Sequence, residues 1–413
     1  MSDKRTLWVV SGGDEAVPGI RRAREMGLNV VVSDANPAAP GFAWADDAVL
    51  ASTYDVQETL KAVRSYVRGK RPVDGILCMA ADVPVTVATV AAELGLPGIP
   101  VEAANLSRDK LMMKQRFVDE GIPVPWFAPV ESAEQLASIL RDREHELVVK
   151  PVDSRGARGV QRLSDRSDLR NAWAQARSES PTGRVMVEEF LRGAQVSTES
   201  ILMDDAAYTP GFADRNYEFL DRFAPYVIEN GGQQPSALAE DQQKAVARLA
   251  EQAGRAMGIS RGVAKGDMIY TDGGPKVIEI AARLSGGWFC TDQIPLGTGV
   301  DFVAATVRLA LGDEPSKEDL VPKYHRGVCI RYFFPPPGVV REIKGADLID
   351  DEPWIHRMQF FCKPGDVLEP VTNHTKRAGF VITTGADRDE AVARAQEVVR
   401  TVEIVTGRHG ECV

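Results

Sequence analysis

Val277-Ile278-Glu279-Ile280-Ala281-Ala282-Arg283 is an apolar run broken by Glu279 and ended by Arg283. Such a run favours a strand, and strand side chains alternate between two faces. Glu279, Ala281 and Arg283 therefore point the same way. Upstream, Gly262 to Tyr270 reads as a second strand carrying Asp267, and Thr271-Asp272-Gly273-Gly274 as the turn between them. A loop with an odd number of residues centred on Gly273 would set Asp267 directly opposite Glu279. Two carboxylates facing each other across a ladder repel, and one is pushed toward protonation. A divalent cation removes that conflict. Magnesium takes oxygen ligands, usually one or two protein carboxylates together with substrate phosphates. The hairpin is thus expected to be the floor of a magnesium–nucleotide site, with Asp267 and Glu279 on the metal and Arg283 meeting an anion beside it.

The chain of 413 residues is long enough for two or three domains. A net charge of -10 argues against a nucleic-acid surface, which needs clustered Lys and Arg. No apolar run is long enough to span a bilayer, and the first residues lack the pattern of a signal peptide. Cys78, Cys290, Cys329, Cys362 and Cys412 are scattered without zinc or redox spacing. Free thiols in a reducing cytoplasm are the expectation.

The first third alternates strand and helix signals: Leu7–Val10, a Gly12-Gly13 turn, a helix ending at Met26-Gly27, then Val30–Val32 and Ile76–Cys78 with helices between them. That order predicts a parallel, doubly wound sheet. Near residue 105 the pattern changes. Ser107-Arg108-Asp109-Lys110 opens a helix, Leu147–Lys150 is a strand, and 151–159 is a polar glycine loop. A helix is expected from Asp241 to Met257, stopped by Gly258. Residues 210–235 show no period and read as a functional loop. Beyond Pro315 a third unit carries strands at 328–334, 358–361 and 380–383 and a helix near 389–402.

Individual motifs admit two readings. In Lys150-Pro-Val-Asp-Ser154-Arg-Gly156-Ala-Arg158-Gly159, glycines let backbone N–H groups approach a phosphate, and Lys150 reaches the same group. Alone, the segment could equally be a hairpin tip with solvated arginines. Lys110 is a second cation for a nucleotide or a surface lysine. Glu188-Glu189-Phe190-Leu191 could supply an adenine slot or an acidic loop edge, and Gln195 and Glu199 beyond it could hold ribose hydroxyls. Gly12-Gly13 with Asp34 resembles a dinucleotide-binding turn, but the third spaced glycine is missing and Asp14 and Glu15 bring negative charge.

In order along the chain, these segments resemble the ATP-grasp superfamily, and more closely the carboxylate–amine ligases related to bacterial L-amino acid ligases, carbamoyl phosphate synthetase and biotin carboxylase. The resemblance implies an α/β fold with α+β elements. It comprises a Rossmann-like domain (1–104), a two-lobed ATP-grasp domain (105–314) and a small β-rich C-terminal domain that closes the site (315–413). It implies ATP and Mg2+, with Mn2+ an alternative, small carboxylate and amine substrates, and a homodimer. Lys110 and Lys150 would contact phosphates, with Lys150 and Arg283 in the catalytic set. Ser154, Gly156, Arg158 and Gly159 would close over the nucleotide. Glu188, Glu189 and Leu191 would line the adenine slot, and Gln195 and Glu199 the ribose. Asp267 and Glu279 would bind the metal. Arg283, with backbone donors of Ser285, Gly286 and Gly287, would grip the carboxylate. Glu229 falls in a segment, 226–235, that resembles the substrate-facing loop of the amino acid ligases. Ala281 stands where many members carry Asn, Gln195 where many carry Glu, and Gly232 where some carry His. His325, Arg331, His374 and Arg377 are further candidates for the substrate pocket.

Overall fold

A computed structural model describes residues 4–347 and 352–407. The N-terminal unit is a four-stranded parallel sheet of β1 (Thr6–Val10), β2 (Asn29–Asp34), β3 (Asp47–Leu50) and β4 (Gly75–Cys78), in the order β3-β2-β1-β4. Every side chain of β1 is buried, as expected for a strand covered by helices on both faces. The helix Val56–Gly69 begins where Asp55 accepts from the Gln57 and Glu58 amides, a side-chain cap on otherwise orphaned donors.

A second, antiparallel sheet contains β5 (Phe127–Val130), β6 (Leu147–Pro151), β7 (Gln161–Leu163) and β8 (Val185–Glu189), in the order β5-β8-β6-β7. The remaining strands are β9 (Ala194–Met203), β10 (Ala206–Arg215), β11 (Gly232–Gln234), β12 (Gly262–Thr271), β13 (Gly274–Ala281), β14 (Gly327–Tyr332), β15 (Gly338–Lys344), β16 (Ile355–Phe360), β17 (Val367–Leu368), β18 (Gly379–Gly385) and β19 (Glu403–Gly407). Eight of them form one sheet, β13-β12-β9-β10-β11-β14-β18-β16; β17, β15 and β19 form a small sheet of their own.

The expected long helix spans Glu240–Ala256, with Met257 as its C-cap and Gly258 left-handed at φ 89°. Its apolar stripe (Val246, Leu249, Ala250, Ala253) packs on Val196, Leu202, Ala264 and Ile280 of the large sheet. Residues 210–235 differ from the loop expected. Their first part completes β10 and their last part is β11, which pairs with β14. Three strands of the expected C-terminal unit therefore extend the central sheet, and backbone hydrogen bonding continues across residue 314. Phe289, Ile294, Phe302 and Val307 share a core with Leu7, Val9, Val30 and Leu77, so the segment after the hairpin packs on the N-terminal sheet. Cys78, Cys290, Cys329 and Cys362 are free and buried; Cys412 lies outside the described residues. Among the described residues no helix is long and apolar enough to cross a membrane.

Candidate active site

The sheets enclose a cleft of about 670 Å³, within the range of small-molecule sites. Asp267 and Glu279 line it as direct Cα partners on β12 and β13. The register arises differently from the expectation. The turn has two residues, Asp272-Gly273, and pairing from Thr271↔Gly274 to Met268↔Val277 runs in step. Continued unbroken, it would set Asp267 opposite Ile278. A β-bulge falls between Met268 and Asp267, and the next pair is Asp267↔Glu279. One extra residue on a strand exchanges its faces, so the bulge brings the two carboxylates together.

The expectation that one of them is driven toward protonation is overturned. Burial would raise the Asp267 carboxyl, but Arg215 and Lys265 outweigh it and hold it well below the usual carboxylate range. Arg215 Nη1 lies 2.6 Å from Asp267 Oδ1, and Lys265 Nζ also donates to that oxygen. Arg215 donates as well to Glu229 through Nε at 2.8 Å and through Nη2. Protein cations thus relieve the repulsion assigned to a metal. Glu279 is less firmly engaged, with Lys110 Nζ at 3.5 Å. Among the described residues no group of three or more His, Cys, Asp or Glu is placed to hold a metal ion, and the Ala281 side chain offers no oxygen. The pair still has the right chemistry for magnesium, which can complete its shell with phosphate and water.

At one end of the cleft, Lys110 Nζ donates to the Ser154 carbonyl at 2.8 Å. Lys150 Nζ donates to Glu188, whose other oxygen lies 3.0 Å from Lys114 Nζ. Lys114 is fully buried and also donates to the Ile278 carbonyl at 3.0 Å. Burial alone would raise Glu188, yet Lys114 and Lys150 hold it below the usual range. Glu188 lines the cleft as expected, and its carboxylate is taken by two ammonium groups. Glu189, Leu191 and Gln195 line the same cleft.

In the glycine loop, Ser154, Gly156 and Arg158 reach the cleft and Gly159 does not. Gly159 has φ 68°, and a Cβ there would meet Pro151 Cγ at 3.0 Å and the Ala176 Cα at 3.1 Å. It is a packing glycine. The loop is tied at both sides: the Arg155 guanidinium lies 4.5 Å from the Tyr54 ring centroid, and the His374 amide donates to the Gly156 carbonyl at 3.0 Å.

Three further assignments change. Glu199 is fully buried outside the cleft lining and accepts from the Ser285 amide at 2.8 Å and from its hydroxyl. It cannot meet a ribose, and burial pushes it up to about 7 against the Ser285 hydrogen bonds. Ser285 N–H is consequently spoken for. Gly287 N–H donates to Glu15 at 2.7 Å, and a Cβ on Gly286 would fall 2.5 Å from the same carboxylate oxygen. Two of the three backbone donors expected to hold a substrate anion, those of Ser285 and Gly287, instead bind Glu199 and Glu15. Arg283 faces the cleft with Nε 3.4 Å from Asp82 and Nη1 donating to the Leu284 carbonyl.

His374 and Arg377 line the cleft. Burial, with Arg377 and Arg215 nearby, lowers the His374 pKa well below the ordinary value and keeps the ring neutral. Arg331 is buried in β14 and donates to the Gly232 carbonyl and Gln233 side chain; it and exposed His325 are not among the lining residues. Sequence reasoning missed Lys114, Lys265, Arg215 and the role of Glu15. Lys114 lies one helical turn from Lys110 and Lys265 two strand residues from Asp267, so spacing could have shown both. Arg215 has no local signal.

Residues 107–287 match the ATP-grasp domain, residues 20–98 the ATP-grasp N-terminal domain, and residues 331–407 the L-amino acid ligase C-terminal domain 2. The two ATP-grasp matches span more than half of the chain, which belongs to the ATP-grasp superfamily and, broadly, to its ATP-binding ligases. The chain is similar to a biotin carboxylase of Pseudomonas aeruginosa, 28% identical over 73% of this chain and 68% of that one. It is also similar to a D-alanine--D-alanine ligase of an Azoarcus species, 27% identical over 54% of this chain and 75% of the other. An L-amino acid ligase from Bacillus licheniformis has the same fold, with TM-score 0.80 at 22% identity over 99% of this chain and 100% of its own.

Proposed function

We propose that this protein joins a carboxylate to an amine at the expense of ATP. A carboxylate oxygen attacks the γ-phosphorus, the bond to ADP breaks, and an acyl phosphate forms. The amine then attacks the acyl carbon, phosphate leaves with the bonding pair, and the amine gives up a proton to solvent. Lys110, Lys150 and the backbone of the 154–158 loop position the triphosphate, and the Lys114–Glu188–Lys150 group keeps a net positive charge facing it. Asp267 and Glu279 would hold magnesium, which neutralises phosphate charge when bound. Arg283 steadies charge at the reacting carboxylate.

The observation that carries this reading is the meeting, in one cleft, of Lys110 and Lys150, an opposed carboxylate pair and Arg283. The match of 331–407 to an L-amino acid ligase domain favours an amine as the second substrate. A bicarbonate-activating enzyme is the second reading, favoured by the biotin carboxylase relative. The deciding experiment measures phosphate release from ATP across amino acids and small acids, singly and in pairs, with product masses. Release that requires a carboxylate–amine pair supports ligation; release driven by bicarbonate without an amine refutes it.

A further inference from the structure

His374 is tied twice, once through its backbone and once through its ring. Its amide donates to the Gly156 carbonyl at 3.0 Å, and its Nε2 accepts from the Glu229 amide at 3.3 Å. A ring nitrogen that accepts carries no proton, so the neutral ring keeps its hydrogen on Nδ1. The turn around it is stiff. Asn373 accepts from the Thr375 amide at 3.0 Å and from its hydroxyl at 2.7 Å, capping the short helix His374–Lys376. Just beyond, the Arg377 guanidinium carbon lies 3.8 Å from the centroid of the Tyr332 ring. The glycine loop and the substrate-facing segment also meet a second time. The Arg162 amide donates to the Pro225 carbonyl at 2.8 Å, and Gln161 bridges to Tyr226. These contacts close a ring: Gly156 to His374, His374 to Glu229, back along the chain to Pro225, and across to Arg162 beyond the loop. Glu229 carries the connection further, because its carboxylate accepts from Arg215, whose Nη1 lies 2.6 Å from Asp267 Oδ1.

We propose that His374 is a positioning residue that locks the 154–159 loop to the 226–231 segment, so that a triphosphate seated under the loop also sets Glu229, Arg215 and Asp267 in place. The proposal rests on the ATP reading of the loop and adds how two parts of the cleft are brought into register. Coupling of this kind is reciprocal: whatever fixes one segment strengthens binding at the other by the same factor. The ring nitrogen able to take a proton already accepts from Glu229, so acid–base work is the poorer reading of this histidine. A histidine that only filled space would need a ring of this size but no acceptor at Nε2. The lock needs the acceptor, and that difference separates the two roles by substitution.

Hydrogen exchange of the full chain, followed by mass spectrometry, tests the lock without turnover. Amides of 154–159 and 226–231 are compared in the apo chain and with magnesium and the non-hydrolysable analogue AMP-PNP. His374→Leu removes the acceptor and keeps the backbone amide that meets Gly156. It should speed exchange in both segments about two- to tenfold, the scale of one hydrogen bond, and weaken AMP-PNP binding by a similar factor in calorimetry. His374→Gln carries an amide oxygen near the Nε2 position and should return both readouts toward wild type. His374→Asn, one carbon shorter, should behave as the Leu variant, and it takes that variant's place if thermal melting shows that Leu does not fold. Faster exchange at 226–231 alone, with 154–159 and AMP-PNP affinity unchanged, overturns the lock. So does a Gln variant no better than Leu. A wild-type chain that does not bind AMP-PNP refutes the ATP reading and leaves the apo exchange rates to decide the lock. Nucleotide binding by a chain whose two segments exchange independently refutes the lock alone.

Discussion

The two ends of the cleft treat buried charge in opposite ways. At the lysine end the protein answers its own charges: Glu188 joins Lys114 and Lys150, and Asp267 joins Arg215 and Lys265. At the other end Arg377 and Trp288 keep donors unanswered. Burying a charge without a partner is costly, so the ion pairs of the lysine end stabilise the wall before any ligand arrives. A residue's type and burial do not separate the two ends; whether an opposite charge already lies beside it does.

The comparison can be broken most forcefully at Glu188. Glu188→Ala leaves two ammonium groups together in a buried wall and should cost about 3–5 kcal/mol, read by chemical denaturation. A loss under 1 kcal/mol would mean that the lysine end is not internally saturated. Lys114→Met in the same background should recover part of the loss. Arg283 lines the same cleft. Arg283→Met should lower turnover about 10²- to 10³-fold, the scale for losing one transition-state donor, and near-native turnover would remove it from the chemistry.

Glu199 sharpens the contrast through pH. Its carboxyl in the folded chain is pushed up to about 7 by burial, against about 4.3 when unfolded. Between those values the unfolded chain has released the proton and the folded chain still holds it. This group's contribution to stability is therefore intact below pH 4 and falls as pH rises from about 4 to 7, by up to about 4 kcal/mol. Glu199→Gln removes the titration, so the stability of the variant relative to wild type should grow over that interval. A difference independent of pH would show that Glu199 ionises normally. The smallest effect is expected at Tyr54. Tyr54→Ala loosens the tie on Arg155, worth about 0.5–1 kcal/mol at an exposed site, and should raise KM for ATP roughly two- to fivefold.

Much of the fold was legible because its signals are local. Alternating apolar runs and helix stops marked the parallel sheet, Gly258 marked the end of the long helix, and Asp272-Gly273 marked the hairpin. Asp267 and Glu279 were paired correctly for an incorrect reason, since an odd loop was invoked where a bulge acts. Bulges have no reliable residue signature, and this one becomes visible only when the ladder is counted. Glu199 reads as a ribose ligand because a sequence reports a carboxylate but not what already binds it. The continuation of the central sheet into β14, β18 and β16 depends on β11, three residues within a stretch without periodicity.

By itself the chain's order of residues determined which segments become strand or helix, where the hairpin turns, and which side chains could carry phosphate and metal chemistry. These follow from propensities and periodicities that act over a few neighbours. Only the tertiary structure decided which charges neutralise one another and which remain open. Ion pairing in a low-dielectric wall depends on distances of a few ångströms between residues such as Arg215 and Asp267, far apart along the chain.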